Sequence, residues 1–186
     1  MLILRIEFNP NNQYKTQIVM KKISILLTTF FMITILSAQN GIVPRTDLKT
    51  LEGATISTDN IIEPGVVTIL VFWKSCNKTC LASLDAMHEV WQDSLEEKGV
   101  RMLTVCVDGT GSWNHVRPYV DGNAWEFETY IDVNCDLKRA MNVNNVPCTI
   151  LLDADQNLIC RHDGFCTGSE AMLCDKVQKH LYASLD

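Results

Sequence analysis

The chain has 186 residues, of which 47% are hydrophobic, and a formal net charge of −6. That length is sufficient for one domain with a substantial core. From Gln39 onward the sequence holds 12 Lys and Arg against 21 Asp and Glu, a net charge of −9. An acidic domain is a poor partner for nucleic acid or anionic membrane surfaces, because it has no basic patch to neutralise phosphates.

The first 38 residues have the composition of a targeting segment rather than of a folded domain. Met20 is followed by two lysines, then by the uncharged, mostly apolar stretch 23–36, and then by small residues. This layout predicts a secretory signal peptide over 20–38, preceded by an upstream extension. The apolar stretch is shorter than the ~20 residues that span a bilayer, which argues against a permanent anchor. We therefore expect an exported protein, periplasmic or in the cell envelope, with one domain over 39–186.

Hydrophobic patterning predicts alternating strands and helices after an N-terminal hairpin. Continuous β-branched and aromatic runs are typical of buried strands, whereas apolar residues at helical spacing predict amphipathic helices. In chain order, the predicted elements are a hairpin over 48–57 turning at Glu52-Gly53, a strand over 66–73, a helix over 81–95 closed by Lys98-Gly99, a strand over 100–108, a short helix in 111–123 interrupted by Pro118, an outer strand over 127–133, a short helix over 135–141, a hairpin over 148–162, and a closing helix over 168–185. This order predicts an α/β sandwich with helices on both faces of a mixed sheet.

All eight cysteines follow the predicted signal peptide: Cys76, Cys80, Cys106, Cys135, Cys148, Cys160, Cys166 and Cys174. In an exported protein an even count permits disulfides, but the sequence does not give their connectivity. Cys106 at a strand end is expected to be buried. The last three are expected to pair among themselves or to stay buried.

The stretch "VFWKSCNKTCLASL" (71–84) places the first two cysteines between a buried strand and the start of an amphipathic helix. A thiolate is the reactive form of cysteine, and a helix N-terminus favours it through free N–H groups and the positive end of the helix dipole. Lys74 and Lys78 would add positive charge beside Cys76. Redox chemistry at Cys76 and Cys80 is one interpretation; a structural disulfide or two idle thiols is the other.

The motifs "FWKSCNKTC" and "NNVPCTILLDADQNLI" together resemble the exported TlpA/ResA-like thiol–disulfide oxidoreductases, which have a thioredoxin-like three-layer sandwich. The resemblance covers roughly 43–185. It implies that Cys76 attacks, that Cys80 resolves the mixed disulfide, and that Pro147 shapes the substrate groove through a cis peptide bond, which X-Pro bonds tolerate. It also implies protein thiol or disulfide substrates, a redox partner and no separate organic cofactor.

The sequence departs from that family in two respects. Its cysteines are spaced Cys-x-x-x-Cys, so a gapless alignment puts Cys80 on the resolving cysteine and Asn77 on the nucleophile. Asn77 is also a good helix N-cap. Ser83 and Asp85 replace a glutamate and a helix-kinking proline that many relatives carry, which predicts that the proton-handling carboxylate is missing.

Two alternatives follow from these departures. The Cys-x-x-x-Cys spacing on this fold also resembles the Sco-type copper proteins, in which case Cys76 and Cys80, with or without Cys148, would bind Cu(I) as soft thiolate ligands. The second alternative is a redox-inactive, thioredoxin-like interaction domain, which the asparagine at 77 and the missing carboxylate would favour. The sequence leaves the redox direction and the oligomeric state open.

Overall fold

The computed structural model describes residues 42–109 and 113–183, all within the unit Gly41–Asp186. The predicted signal peptide and upstream extension lie outside the described residues, as does the end of the predicted closing helix. Within these ranges the strands and helices are β1 (Asp47–Thr50), β2 (Thr55–Ser57), β3 (Thr68–Trp73), α1 (Lys78–Ser94), β4 (Arg101–Cys106), α2 (Trp113–Gly122), β5 (Glu128–Ile131), α3 (Asp136–Ala140), β6 (Cys148–Leu152), β7 (Leu158–Asp163) and α4 (Ser169–Ala183), with 3-10 turns at Thr58–Asn60 and Glu96–Lys98.

The strands form one mixed sheet in the order β2-β1-β5-β4-β3-β6-β7. The central strands β3, β4 and β5 are parallel, and the pairings of β1 with β2 and β5, of β3 with β6, and of β6 with β7 are antiparallel. Both predicted hairpins are present, since β1–β2 and β6–β7 are each joined by a short connection. The predicted α/β sandwich is therefore confirmed.

Strand β3 is buried at every position because helices cover both faces of the sheet. Its alternate side chains enter two separate hydrophobic clusters. Ile69, Val71 and Trp73 pack into the first cluster with residues of α1, α2 and α4, whereas Leu70 and Phe72 pack into the second with residues of α3. The first is called the helix-pair cluster below, after α1 and α4, and the second is called the opposite cluster. This two-sided burial explains why the strand has a continuous apolar run instead of an alternating one.

Helix α1 ends earlier than the sequence predicts. Its last helical residue is Ser94, and the 3-10 turn Glu96–Lys98 then leads to Gly99, which has a φ of 75°. The predicted Lys98-Gly99 pair is present, but it ends the 3-10 turn rather than α1 itself. Turns with i→i+3 bonds are frequent at helix C-termini, where the last carbonyls have no intrahelical partner. The Trp91 indole N–H donates to the Val100 carbonyl at 2.7 Å and so ties the segment after the 3-10 turn to α1.

Helix α2 runs through Pro118, where the sequence predicts an interruption. A proline removes one backbone donor, so the bond to the carbonyl four residues earlier is lost. That carbonyl belongs to Asn114, which is exposed, so water can satisfy it. The inward-facing Val116 and Val120 are buried in the helix-pair cluster and hold the helix on both sides of the proline.

Leu84 anchors α1 to the sheet, since its side chain is fully buried in the helix-pair cluster. We expect Leu84→Ala to lower the free energy of unfolding by about 2–5 kcal/mol, through lost transfer free energy and a residual cavity. Leu158→Ala is the matched control, because Leu158 is 44% exposed, and its loss is expected to be about 1 kcal/mol or less. Urea unfolding followed by circular dichroism measures both, and equal losses would contradict this packing.

Candidate active site

The turn between β3 and α1 absorbs the extra residue of the Cys-x-x-x-Cys motif as a helix cap. Asn77 has an extended backbone, with φ −106° and ψ 108°, and its side-chain oxygen accepts from the N–H groups of Thr79 at 2.9 Å and Cys80 at 3.2 Å. This is the N-cap arrangement that asparagine favours. The asparagine that a gapless alignment places at the nucleophile's position is therefore the N-cap of α1. Cys76 lies just outside the helix and Cys80 within its first turn.

The N-cap also changes which groups face the exposed cysteine. The N–H groups of Thr79 and Cys80 are among the donors that a helix N-terminus leaves without an intrahelical partner. Because the Asn77 side chain accepts from both, these two donors are not available to a thiolate at Cys76.

The two cysteines of the motif differ in exposure. Cys76 is exposed, whereas Cys80 is fully buried in the helix-pair cluster. Burial is the main cause that raises the pKa of the Cys80 thiol, and the charges of Asp108 and Cys76 raise that pKa further. The backbone and charge of Lys74 act in the opposite direction. The structure thus brings Cys76 and Cys80 together, one facing solvent and the other facing the core.

A carboxylate that the sequence did not single out lies beside this turn. Asp108 follows β4, and it accepts from the Ser75 backbone N–H at 3.2 and 3.0 Å and from the Ser75 hydroxyl at 2.5 Å. The parallel pairing of β3 with β4 brings the two segments together, since it aligns Trp73 with Cys106 and is followed by a bond from the Val107 N–H to the Trp73 carbonyl. The signal available in the sequence was an acidic residue at the end of a strand predicted to neighbour β3.

Cys106, the last residue of β4, contacts the Asp108 carboxylate from within the core. Its side chain is fully buried in the helix-pair cluster, as the sequence predicts. Burial is the main cause that raises its pKa, and the neighbouring charge of Asp108 and a hydrogen bond to it raise that pKa further. Cys106 is therefore held as a protonated thiol that contacts Asp108.

Pro147 lies at the edge of the sheet where β3 ends. Its peptide bond with Val146 is cis, as the family resemblance implies. The pairing of Cys148 with Phe72 sets Pro147 level with the end of β3, and the Gly164 N–H donates to the Pro147 carbonyl at 2.7 Å. The proline and the two-cysteine turn therefore flank the same edge of the sheet.

Cys148 follows this proline but faces the other side of the sheet. It is buried in the opposite cluster, and burial together with a hydrogen bond to Asp163 raises the pKa of its thiol to about 12. The structure does not bring Cys148 to Cys76 and Cys80. In the part of the chain that the structure describes, no group of three His, Cys, Asp or Glu residues is arranged to hold a metal ion.

The two positions at which many relatives carry a glutamate and a proline serve the packing of α1. Ser83 is buried, and the Asp85 carboxylate accepts from the Trp125 indole N–H at 2.9 Å. Trp125 in turn packs edge-on against Trp73, with ring centroids 5.7 Å apart. Asp85 thus holds the aromatic ring that supports the end of β3.

The remaining cysteines are spread over the molecule. Cys160 and Cys174 are half-buried against the helix-pair cluster, Cys166 is exposed, and Cys135 lies near the Val107 carbonyl at 3.7 Å. In the structure all eight cysteines, each within the described ranges, are free thiols.

Solved structures with this architecture come from several bacteria. An uncharacterized thioredoxin-like protein from Porphyromonas gingivalis is 35% identical, with a TM-score of 0.68 over 77% of this chain and 94% of that one. A thiol:disulfide interchange protein of the thioredoxin family from Chlorobium tepidum TLS is 18% identical, with a TM-score of 0.61 over 78% and 99%. A secreted disulfide oxidoreductase from Mycobacterium tuberculosis is also 18% identical, with a TM-score of 0.59 over 72% and 95%. The last two share the fold with this chain.

No curated protein matches the chain. In the described ranges, no helix combines the length and apolar character needed to cross a membrane. A family model described as thioredoxin-like matches residues 65–158, half of the 186 residues and the whole segment from β3 to the start of β7. The chain belongs to the thioredoxin-like family.

Proposed function

We propose that this protein is an exported thiol–disulfide oxidoreductase that exchanges disulfides with protein substrates through Cys76 and Cys80. The observation that carries the proposal is the asymmetry of the pair: an exposed cysteine just ahead of a helix cap, and a fully buried one in the first turn of that helix. An exposed thiolate can reach a sulfur of another protein, whereas the buried thiol can reach only its neighbour.

The exchange proceeds in two steps. The Cys76 thiolate attacks one sulfur of a substrate disulfide, forms a mixed disulfide and expels the other substrate sulfur as a thiolate. Cys80 then loses its proton and attacks the Cys76 sulfur, so that a Cys76–Cys80 bond forms and the second substrate sulfur leaves as a thiolate. The substrate gains two electrons and the cysteine pair loses two, with no organic cofactor. A redox partner resets the pair, and the reverse sequence oxidises a substrate dithiol.

Pro147 lies at the same edge of the sheet as the pair, and the family resemblance assigns it the shaping of the substrate groove, which supports a protein substrate. Relatives with this fold include a thiol:disulfide interchange protein and a secreted disulfide oxidoreductase, which supports both the reaction and export. Export is further supported by the signal-peptide composition of residues 20–38.

Copper binding is the weaker alternative, because the third proposed ligand, Cys148, belongs to the opposite cluster while Cys80 belongs to the helix-pair cluster. Cu(I) bound by Cys76 and Cys80 alone would not distinguish a copper module from any other protein with two neighbouring thiols. A stoichiometric Cu(I) complex lost in Cys148→Ser as well as in Cys76→Ser would favour the copper alternative over exchange.

Substitution of each cysteine gives the first test. With insulin as the disulfide substrate and dithiothreitol as the reductant, we expect Cys76→Ser to reduce the rate to that of dithiothreitol alone. Cys80→Ser, reduced beforehand and mixed with insulin after the dithiothreitol has been removed, is expected to accumulate a Cys76–substrate mixed disulfide, visible by non-reducing electrophoresis and mass spectrometry, because the resolving thiol is gone. Cys166→Ser removes an exposed thiol elsewhere and is expected to behave as wild type. A wild-type protein that accelerates no exchange would favour the redox-inactive interaction domain.

Alkylation in the folded state gives a second test. In a short iodoacetamide pulse at pH 8, we expect the exposed Cys76 and Cys166 to be labelled first, and Cys80, Cys106 and Cys148 to be protected. The Cys148 thiol, with a pKa of about 12, is ionised in only about one molecule in ten thousand at this pH, and the thiolate is the reactive form. Peptide mapping measures the order of labelling. Denaturation in urea should expose all eight, and labelling of Cys80 at the rate of Cys76 would contradict the asymmetry.

A further inference from the structure

The buried thiol of the pair poses a physical difficulty for the exchange. Cys80 has to lose a proton before it can attack, yet it is fully buried and the pKa of its thiol is raised. Water reaches a buried sulfur poorly, so the proton needs an acceptor that belongs to the protein. Neither Ser83 nor Asp85 supplies one, since serine carries no carboxylate and the Asp85 carboxylate is bound to Trp125.

The Asp108 carboxylate lies beside the turn that carries this pair. Asp108 is fixed next to Ser75 by three hydrogen bonds of 3.2, 3.0 and 2.5 Å, and its charge acts on the Cys80 thiol. It comes from the end of β4, a different strand from the one that leads into the cysteines. The hydrogen bonds to the Ser75 N–H and hydroxyl, called the Ser75 clamp below, hold the carboxylate next to the turn in which Cys76 lies.

We propose that Asp108, positioned by the Ser75 clamp, accepts the proton that leaves Cys80 when the mixed disulfide is resolved. The proposal rests on the exchange function proposed above. In this step the Cys80 S–H bond breaks, its proton passes to an Asp108 oxygen, and the Cys80 thiolate attacks the Cys76 sulfur. The Cys76–Cys80 bond forms, the Cys76–substrate bond breaks, and the substrate sulfur leaves with the electron pair. Asp108 then returns its proton to the departing thiolate or to water.

The groups around the thiol are consistent with this assignment. Cys80 is faced by Cys76 and Lys74 from the turn and by Asp108 from the end of β4. Asp108 itself is contacted by Ser75 from the turn and by Cys106 from β4. Cys106 does not compete for the role, because a protonated thiol that donates to the carboxylate has no free capacity to accept a proton.

The two steps of exchange can be measured separately with 5,5′-dithiobis(2-nitrobenzoate), an aromatic disulfide. Attack by Cys76 releases one thionitrobenzoate, and resolution by Cys80 releases the second. The reaction is followed at single turnover on reduced protein carrying Cys166→Ser, which removes the other exposed thiol. Cys80→Ser in the same background gives the first release alone and so identifies the second phase.

We expect Asp108→Asn to leave the first release within a few-fold of wild type and to slow the second by about 100-fold at pH 7, the lower end of the range for general acid–base catalysis. The deficit should shrink as the pH rises toward 10, because a growing fraction of the Cys80 thiol is then ionised before the attack and needs no acceptor. The amide keeps an oxygen that can accept from Ser75, so the loss reports the proton acceptor rather than the clamp. Asp93→Asn is the matched control, since it removes the same charge at an exposed site on α1.

Ser75→Ala tests the clamp with the carboxylate retained. It is expected to slow the second release by about 3- to 10-fold at pH 7, with the first unchanged. If Asp108→Asn does not fold, as thermal unfolding would report, the Ser75→Ala pH profile decides instead. A second release in Ser75→Ala equal to that of Asp93→Asn at every pH would then overturn the proposal, as would a wild-type rate in a folded Asp108→Asn. Failure of the wild-type protein to give any second release would overturn the exchange function itself.

Discussion

The parallel, in-register pairing of β3 with β4 is the constraint on which the site depends. It aligns the last residues of the two strands and continues in a bond of 2.9 Å from the Val107 N–H to the Trp73 carbonyl. Because both strands end at the same level, the segments that follow them leave the sheet side by side. One segment carries the two cysteines and the other carries Asp108. The antiparallel pairing of β6 with β3 brings Pro147 to the same edge from the other side.

The additional residue of the Cys-x-x-x-Cys motif has a clear structural consequence. Asn77 caps α1 and occupies two N–H donors that would otherwise be directed toward a nucleophile at the helix start. A cap of this kind contributes about 1 kcal/mol to helix stability. The cap stabilises the N-terminus of α1. Compared with a Cys-x-x-Cys motif, the exposed cysteine lies one residue further from the helix, in the turn. The reactivity of Cys76 then depends more on its exposure than on hydrogen bonds from the helix.

Much of this architecture could be predicted from the sequence, because the determining signals are local. The continuous run 66–73 predicts a strand covered on both faces. The cis bond before Pro147, which the structure contains, was implied by the family resemblance rather than by a local signal. Helix α1 and both hairpins follow from periodicity and turn residues. The end of α1 was predicted less well, since its final turn is of the 3-10 type and the spacing of apolar residues does not distinguish the two helix types.

The features that were not predicted depend on contacts between distant segments. Cys148 was grouped with Cys76 and Cys80 through the resemblance to Sco-type copper proteins, but its pairing with Phe72 directs its side chain to the opposite face. Asp108 was overlooked because the sequence presents it only as the end of a strand. Its relation to Ser75 arises from strand pairing between residues that lie 33 positions apart. The prediction of a missing carboxylate considered only the positions where relatives carry one.

The asymmetry of the pair also determines which step of an exchange is costly. Attack by an exposed thiolate needs little change in solvation, whereas resolution requires a charge to form on a fully buried sulfur. A neighbouring carboxylate has opposite effects before and after proton transfer. While ionised, Asp108 disfavours the Cys80 thiolate, and once it holds the proton that repulsion disappears. The buried thiol therefore stays protonated until a mixed disulfide makes its attack productive, and the loss of its proton and the loss of the repelling charge become one event.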